Sequence, residues 1–440
     1  MSGMRLVREL LRSRTTPDQA FLLLCARADS LGIPGPAALC GRWFGSRAVV
    51  APTVELRPFA EVEEAFAVPA RQPHVTGETG GAVGGGWFGY LSYDLTDPSR
   101  RGTGIPKASW GWADHVLRLD EEGRWWFEAI VSGDVSGLAS ELESVLDAAP
   151  IAVTQPSARL EWPVPAEHGE AVKSCVHAIG EGELFQANIC TRLRGTFEGQ
   201  PSALFAEGVR TLAPAKAAYL GGEWGALVSM SPELFLARSG TRVRSTPIKG
   251  TLPRRDERDA ALATALRKST KDVAENVMIT DLVRNDLGRV CEVGSVRVPE
   301  LLAVREAPGV WHLDSTVTGV LAPGRDDTEL LRATFPPGSV TGAPKLRALD
   351  LIAELEAEPR GCYTGAMGLA SPVAGLELNV AIRTFEIRSG EVTLGVGGGI
   401  TADSDPDAEW LECLHKAAPL EGLFGTTAQP GFPRASSAAS

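Results

Sequence analysis

Glu409 and Glu412 lie three residues apart behind the helix-start pattern Ser404-Asp405-Pro406-Asp407, so a helix there projects both carboxylates from one face. A third acid, Glu275, falls early in a helix opened by Ser269-Thr270-Lys271-Asp272, a capping-box start. Oxygen donors of this kind suit Mg²⁺, which keeps waters and shares its remaining positions with substrate oxygens. The helix macrodipole also favours acids in a first turn, so spacing leaves both readings open. Lys249 sits between Ile248 and Gly250 among small and apolar neighbours. Desolvation there would lower its pKa from about 10.4 and supply a neutral, nucleophilic amine, whereas a lysine that snorkels to the surface is the competing reading. Glu233, in Ser231-Pro232-Glu233, is a proton donor if an apolar setting keeps its carboxyl protonated, and otherwise an exposed strand-edge acid. Arg383 follows the largely apolar run Asn379-Val380-Ala381-Ile382 and needs an anionic partner, either a substrate carboxylate or a structural acid. His312 fits a core histidine better than a catalyst. Gly395-Val396-Gly397-Gly398-Gly399 closes a strand-like run; it either offers backbone N–H groups to an anion or forms a tight turn. Its spacing is not that of a nucleotide-phosphate loop.

These residues need elements to hold them. Ala166 to Ile179 reads as a helix with Val172, Cys175, Val176 and Ile179 on one face, stopped by Gly180 and Gly182. From Leu184 to Phe197 the pattern alternates, with Phe185, Ala187, Ile189 and Leu193 on one face and the polar Gln186, Asn188 and Arg192 on the other. Gly221-Gly222 and Ser239-Gly240 mark hairpins, and a second meander runs from Cys362 through Gly375 and Ser389-Gly390 to Ile400. The capped helices run from Ser269 to about Val283 and from Ser404 to about Ala418. Blocks of strands with helices between them predict an α+β fold. Four prolines between Pro150 and Pro165 suggest a connection between an N-terminal lobe, 1–150, and a catalytic domain, 158–423, though a surface loop within one body fits equally. The segment 425–440 is too polar and small-residue-rich to pack and is expected to be disordered.

With 440 residues, 44% hydrophobic and 22% charged, there is chain enough for a large core or two lobes. A net charge of −12 without a basic cluster argues against a nucleic-acid partner. An anionic substrate would need a metal, an arginine or oriented N–H groups to invert the local field. The seven cysteines are scattered and never form C-x-x-C, which fits a reducing cytoplasm better than a disulfide framework. Ala20 to Ala26 is too short to span a bilayer, and no targeting or membrane segment is expected.

Taken in order, the blocks from Ala158 to Leu423 resemble the chorismate-utilising enzyme family. They are Gly182-Glu183-Leu184-Phe185-Gln186-Ala187-Asn188, Ser231-Pro232-Glu233-Leu234-Phe235, Pro247-Ile248-Lys249-Gly250-Thr251, and Glu275-Asn276 through Arg284-Asn285-Asp286-Leu287-Gly288-Arg289. His312-Leu313-Asp314-Ser315-Thr316-Val317, Gly342-Ala343-Pro344-Lys345, Tyr363-Thr364-Gly365-Ala366, Ile382-Arg383-Thr384 and the Gly397-to-Glu412 segment follow. Phe185, Thr364 and Met367 depart from a common Tyr, Ser and Ile. Upstream, only Gly85 to Asp94 matches sharply within a lobe that is similar to the N-terminal part of anthranilate synthase component I.

The resemblance implies antiparallel sheets packed as a sandwich with flanking helices, and a magnesium-dependent amination of chorismate. Lysine in Pro-Ile-Lys-Gly-Thr marks the aminodeoxychorismate synthase branch, so Lys249 would attack C2 while Glu233 protonates the departing C4 hydroxyl. Gln186 stands where isochorismate and salicylate synthases carry a water-activating lysine. Glu275 and Glu412 would bind Mg²⁺ directly and Glu409 through its water shell. Arg383, Tyr363, the backbone at Gly365 and the amides of Gly397 and Gly398 would cradle the enolpyruvyl carboxylate, with Thr251, Lys416 and His312 nearby. No amidotransferase signature is present, so a glutamine amidotransferase subunit, component II, would supply ammonia for 4-aminobenzoate and folate biosynthesis. The alternatives are anthranilate synthase component I and a non-catalytic chorismate-binding relative.

Overall fold

The computed structural model describes residues 3–425 apart from Glu78, Asp134, Ser136 and 255–259. Beyond Gly425, the tail expected over 425–440 lies outside the described residues. Among those residues the strands form one 13-stranded and one 10-stranded sheet. Neighbouring strands run antiparallel except for Met4–Leu10 with Val75–Thr76. Side-chain alternation sorts each strand into two buried faces. In the larger sheet Ala38, Cys40, Ala48 and Val50 pack outward on Phe21, Leu24, Leu204 and Phe205 of the helices Pro17–Leu31 and Pro201–Leu212. Ala37, Leu39, Val49 and Ala51 face inward and meet Phe88, Tyr90 and Leu369 of the smaller sheet. The outer face of that sheet, including Leu236, Leu376 and Leu378, is covered by Ile279, Leu282 and Leu330 from two further helices. The result is the expected α+β sandwich, in four layers: helices, sheet, sheet, helices.

Seven elements carry the site: β1 (Gln186–Glu198), β2 (Leu234–Ser239), β3 (Ile248–Pro253), α1 (Thr270–Gly288), β4 (Val310–Val320), β5 (Glu391–Ile400) and α2 (Pro406–Glu421). The helix starts read from the sequence are present. Ser269 accepts the N–H of Asp272 at 3.2 Å and Asp405 that of Ala408 at 3.0 Å. Both helices outrun their expected ends, α1 reaching Gly288 and α2 Glu421. β1 begins one residue after Phe185, whose ring is 70% exposed instead of joining Ala187 and Ile189 in the core.

The second meander is not one sheet. Ala366–Ser371 and Gly375–Val380 belong to the smaller sheet, and Thr384–Arg388 and β5 to the larger, so the chain changes sheet at 381–383. The same change occurs at Pro232-Glu233, between Gly225–Ser231 and β2. The two crossings are tied together: Val380 N–H donates to the Glu233 carbonyl at 3.1 Å and Met230 N–H to that of Arg383 at 2.9 Å. Strands upstream of residue 150 extend both sheets, since Ala37–Trp43 pairs with Lys216–Gly222 and Gly86–Leu91 with Ala366–Ser371. The proline-rich connection itself includes the edge strand Ser157–Glu161.

Candidate active site

Lys249 owes its position to an irregularity. β3 pairs with β4 at Ile248 with Asp314 and at Thr251 with His312, with a register shift between. The extra residue makes a bulge at Lys249-Gly250, where Gly250 takes φ +92°, a value that favours glycine. A bulge re-aims a side chain that strict alternation would point elsewhere. Lys249 is 9% exposed, and its Nζ lies 3.9 Å from Glu275 Oε2 on α1.

β5 forms the opposite wall. Its pairing with Thr384–Arg388 ends at Phe385 with Leu394, while its pairing with β1 continues to Ile400. From Gly395 onward one edge is therefore open and alternate amides face it: Gly397 does, since the N–H of its β1 partner Cys190 turns to Glu356, whereas Gly398, also expected to offer its amide, faces β1. The missing side chains make room. A Cβ added to Gly399 would stand 2.2 Å from Gln186 Nε2, 3.0 Å from Lys249 Nζ and 3.1 Å from Glu275 Oε2. At Gly398 it would stand 2.9 Å from Glu409 Oε2 and 3.6 Å from Glu412 Oε1. Residues from four elements thus converge on two glycines. Gln186 is buried and its Oε1 has no partner among the described residues, a polar atom left for a ligand or water.

Glu233 and Arg383 occupy the two sheet crossings. Burial pushes the Glu233 carboxyl up to about 7, against the lowering pull of the Ser339 hydroxyl, the Ile248 N–H, Lys249 and Arg383. The Arg383 guanidinium makes no hydrogen bond or ion pair with any described residue, although Glu233 acts on it electrostatically. The strand-edge reading of Glu233 and the structural-pair reading of Arg383 both fail on this geometry. Thr251 Oγ1 lies 2.9 Å from His312 Nδ1, and His312 Nε2 is buried without a partner among the described residues. Burial and the charge of Arg383 push His312 down to about 4, so the ring is neutral near neutrality.

The turn at 360–365 is held by a buried polar network. Gly361 N–H donates to Asp94 Oδ1 at 2.9 Å and Cys362 N–H to Glu386 Oε1 at 2.7 Å. The Arg360 guanidinium bonds Glu356, the carbonyls of Val340 and Asn188, and Thr364 Oγ1. Arg192 of β1 pairs with Glu386 at 2.9 Å. This network accounts for Arg192 on the polar face of β1 and brings Asp94, from the N-terminal part, against the turn. Tyr363, 5% exposed, packs its ring where Gly395 lacks a side chain. Gly365 differs from expectation: its N–H, the one backbone group that could donate to a carboxylate, bonds the Cys362 carbonyl at 2.8 Å, and its C=O accepts from Ala381 at 2.8 Å.

The three carboxylates are each met by a lysine: Glu275 by Lys249 at 3.9 Å, Glu409 by Lys271 at 3.0 Å and Glu412 by Lys416 at 2.7 Å. Lys416 also donates to the Gly397 carbonyl at 2.7 Å. Burial raises the Glu275 carboxyl, whereas for Glu412 burial is outweighed by Lys416, Lys271 and Lys249, leaving it below the usual range. Among the described residues no three acids are drawn close enough to form a ready cluster. Donor type and cradle nevertheless fit a hard divalent cation: three carboxylates face the space that Gly398 and Gly399 leave open.

Some contributors were not anticipated. Ser339, from the turn Gly338–Val340, lines the same cavity as Glu233, and its hydroxyl favours the ionised carboxyl; nothing in its local sequence signals that. Lys345, singled out in Gly-Ala-Pro-Lys, is structural. Its Nζ is held by Asp286 Oδ2 at 2.6 Å and the carbonyls of Thr334 and Pro336, which locks the end of α1 behind Glu233.

A family model described as chorismate binding enzyme matches residues 35–422. Aminodeoxychorismate synthase component 1 of Escherichia coli is 35% identical over 341 residues, 76% of this chain and 75% of that protein. Anthranilate synthase component 1 of Streptomyces coelicolor is 36% identical over 366 residues, 76% of this chain and 71% of its own. The crystal structure of anthranilate synthase component I from Streptococcus pneumoniae matches with a TM-score of 0.71 at 28% identity, covering 82% of this chain and 85% of that one.

Proposed function

The chain belongs to the chorismate-binding enzyme family, and from that premise we propose that it replaces the C4 hydroxyl of chorismate with an amino group, making 4-amino-4-deoxychorismate. Relatives from both aminating branches match it about equally well. The observation that carries the choice is Lys249, buried in Pro-Ile-Lys-Gly-Thr and aimed by its bulge at the space bounded by Glu275 and Gly399.

In this reading Arg383, which makes no hydrogen bond or ion pair with a described residue, takes the enolpyruvyl carboxylate, with the open β5 edge at Gly397 and the Tyr363 wall beside it. Glu275, Glu412 and Glu409 would hold Mg²⁺, which when bound would anchor the C1 carboxylate and offset its charge. Lys249 Nζ forms a bond to C2 as the ring double bonds shift and the C4–O bond breaks. Glu233, in its protonated form, gives its proton to the departing oxygen, and water leaves. Ammonia then bonds to C4, the double bonds shift back, the C2–N bond to Lys249 breaks, and the new ammonium returns a proton to Glu233. The sum is chorismate plus ammonia to 4-amino-4-deoxychorismate plus water. Gln186 is neutral and offers no base to activate water at C2. A glutamine amidotransferase subunit is the proposed ammonia source, and 4-aminobenzoate for folate the proposed destination.

Chorismate without ammonia tests the covalent step. Intact-mass analysis should show an adduct of chorismate less water, mapping to Lys249. Lys249→Ala should form none and lose product by at least about a hundredfold, about 2.7 kcal/mol of barrier. Full turnover by that variant would remove the covalent route.

A further inference from the structure

Lys271 breaks the local rules of its helix. It is the second residue after the Ser269 cap of α1, where the macrodipole disfavours a cation. It also precedes Glu275 by four residues, the weaker order for a helical ion pair. Its ammonium turns instead to another helix, 3.0 Å from Glu409 Oε1. Glu409 is 3% exposed, and the same oxygen accepts the Ser404 hydroxyl at 2.7 Å, while Oε2 faces the open space at Gly398. One oxygen of a buried carboxylate therefore looks into the pocket, and the other is held by a side chain that remains 46% exposed.

We infer that Lys271 is a built-in competitor for the divalent cation, neutralising Glu409 while the metal is away and swinging into solvent when it arrives. This rests on the metal assignment proposed above. A buried carboxylate stripped of its counter-charge is strongly destabilising, so the metal-free fold needs a substitute cation. A dication that meets three carboxylates outcompetes one ammonium, and the long lysine stem gives Lys271 somewhere to go. Its two counterparts are less free: the Lys249 side chain is 10% exposed, and Lys416 is also bonded to the Gly397 carbonyl. The cation affinity is then set below what the three carboxylates would give unopposed.

The test is Mn²⁺ titration of the full chain without chorismate, read by calorimetry and by paramagnetic resonance. Lys268→Gln, at the exposed end of the helix Ala260–Lys268, controls for simple loss of a positive charge. Lys271→Gln should bind Mn²⁺ about tenfold tighter than Lys268→Gln, and Lys271→Arg should stay near wild type. Equal affinity in Lys271→Gln and Lys268→Gln, or weaker binding in Lys271→Gln, overturns the competitor role. Glu412→Gln separates the two failures. Binding that it leaves untouched overturns the metal assignment together with the competitor; binding that it weakens, with the two glutamine variants level, overturns the competitor alone.

Discussion

Glu233 shows how one residue acquires a role from its surroundings. A strand-edge carboxyl in water would be ionised at neutrality and could donate nothing. Placed at a sheet crossing and 3% exposed, it is pushed up to about 7 by burial, and the Ser339 hydroxyl, Lys249 and Arg383 keep it from rising further. The sign of the pH dependence follows. In the proposed reaction the protonated form is the donor, so kcat/KM for chorismate should fall as pH rises through about 7, provided that free ammonia is held constant across the series. Glu233→Gln should lower turnover by about 10²- to 10⁴-fold and abolish that limb of the profile. A profile unchanged in Glu233→Gln would assign the proton to another group. His312, pushed down to about 4, stays neutral throughout this range and contributes no limb above pH 5.

At the scale of elements, local signals were legible and long-range ones were not. The helix Pro165–Gly180 and the caps at Ser269 and Asp405 follow from periodicity and side-chain capping within a few residues. The hairpins at Gly222 and Gly240 follow from turn chemistry. What could not be read is where a meander leaves one sheet for the other, because that depends on pairing partners far away in sequence. Yet Glu233 and Arg383 sit at those crossings. The bulge that turns Lys249 likewise appears only against its partner β4. Motif residues alone did not separate Lys345, a structural lock, from Lys249, and the Gly365 N–H turned out to be used within its own turn. The glycines of β5 make an element-scale prediction. Gly399→Ala would push against the ends of flexible side chains and not against backbone, so the thermal midpoint should hold. Displacing Gln186, Lys249 and Glu275 together should lower kcat/KM by about a hundredfold. An active Gly399→Ala variant would mean that substrate does not occupy this space.

For the whole molecule, the N-terminal part and the catalytic part share both sheets instead of touching across a surface. Ala37–Trp43 and Gly86–Leu91 pair with strands beyond residue 200, and Asp94 holds the turn that carries Tyr363. Cutting at the proline-rich connection would expose two sheet edges and the inner core between them. A fragment of residues 158–423 should therefore lack a cooperative thermal transition, measured by circular dichroism, and show no chorismate turnover. An independently folded, active fragment would contradict this account of the architecture. The shared sheets also explain how a chain with a net charge of −12 can admit a dianion. Arg383 and the open β5 edge supply positive charge and N–H groups locally, and the proposed Mg²⁺ would complete the inversion of the local field.

Product identity tests the central claim most directly. Purified protein with chorismate, Mg²⁺ and ammonium, followed by chromatography, mass and fluorescence, should yield 4-amino-4-deoxychorismate, with the enolpyruvyl ether intact and nitrogen at C4. Anthranilate as the product, with nitrogen at C2 and pyruvate lost, would contradict the role given to Lys249 and with it the proposed reaction.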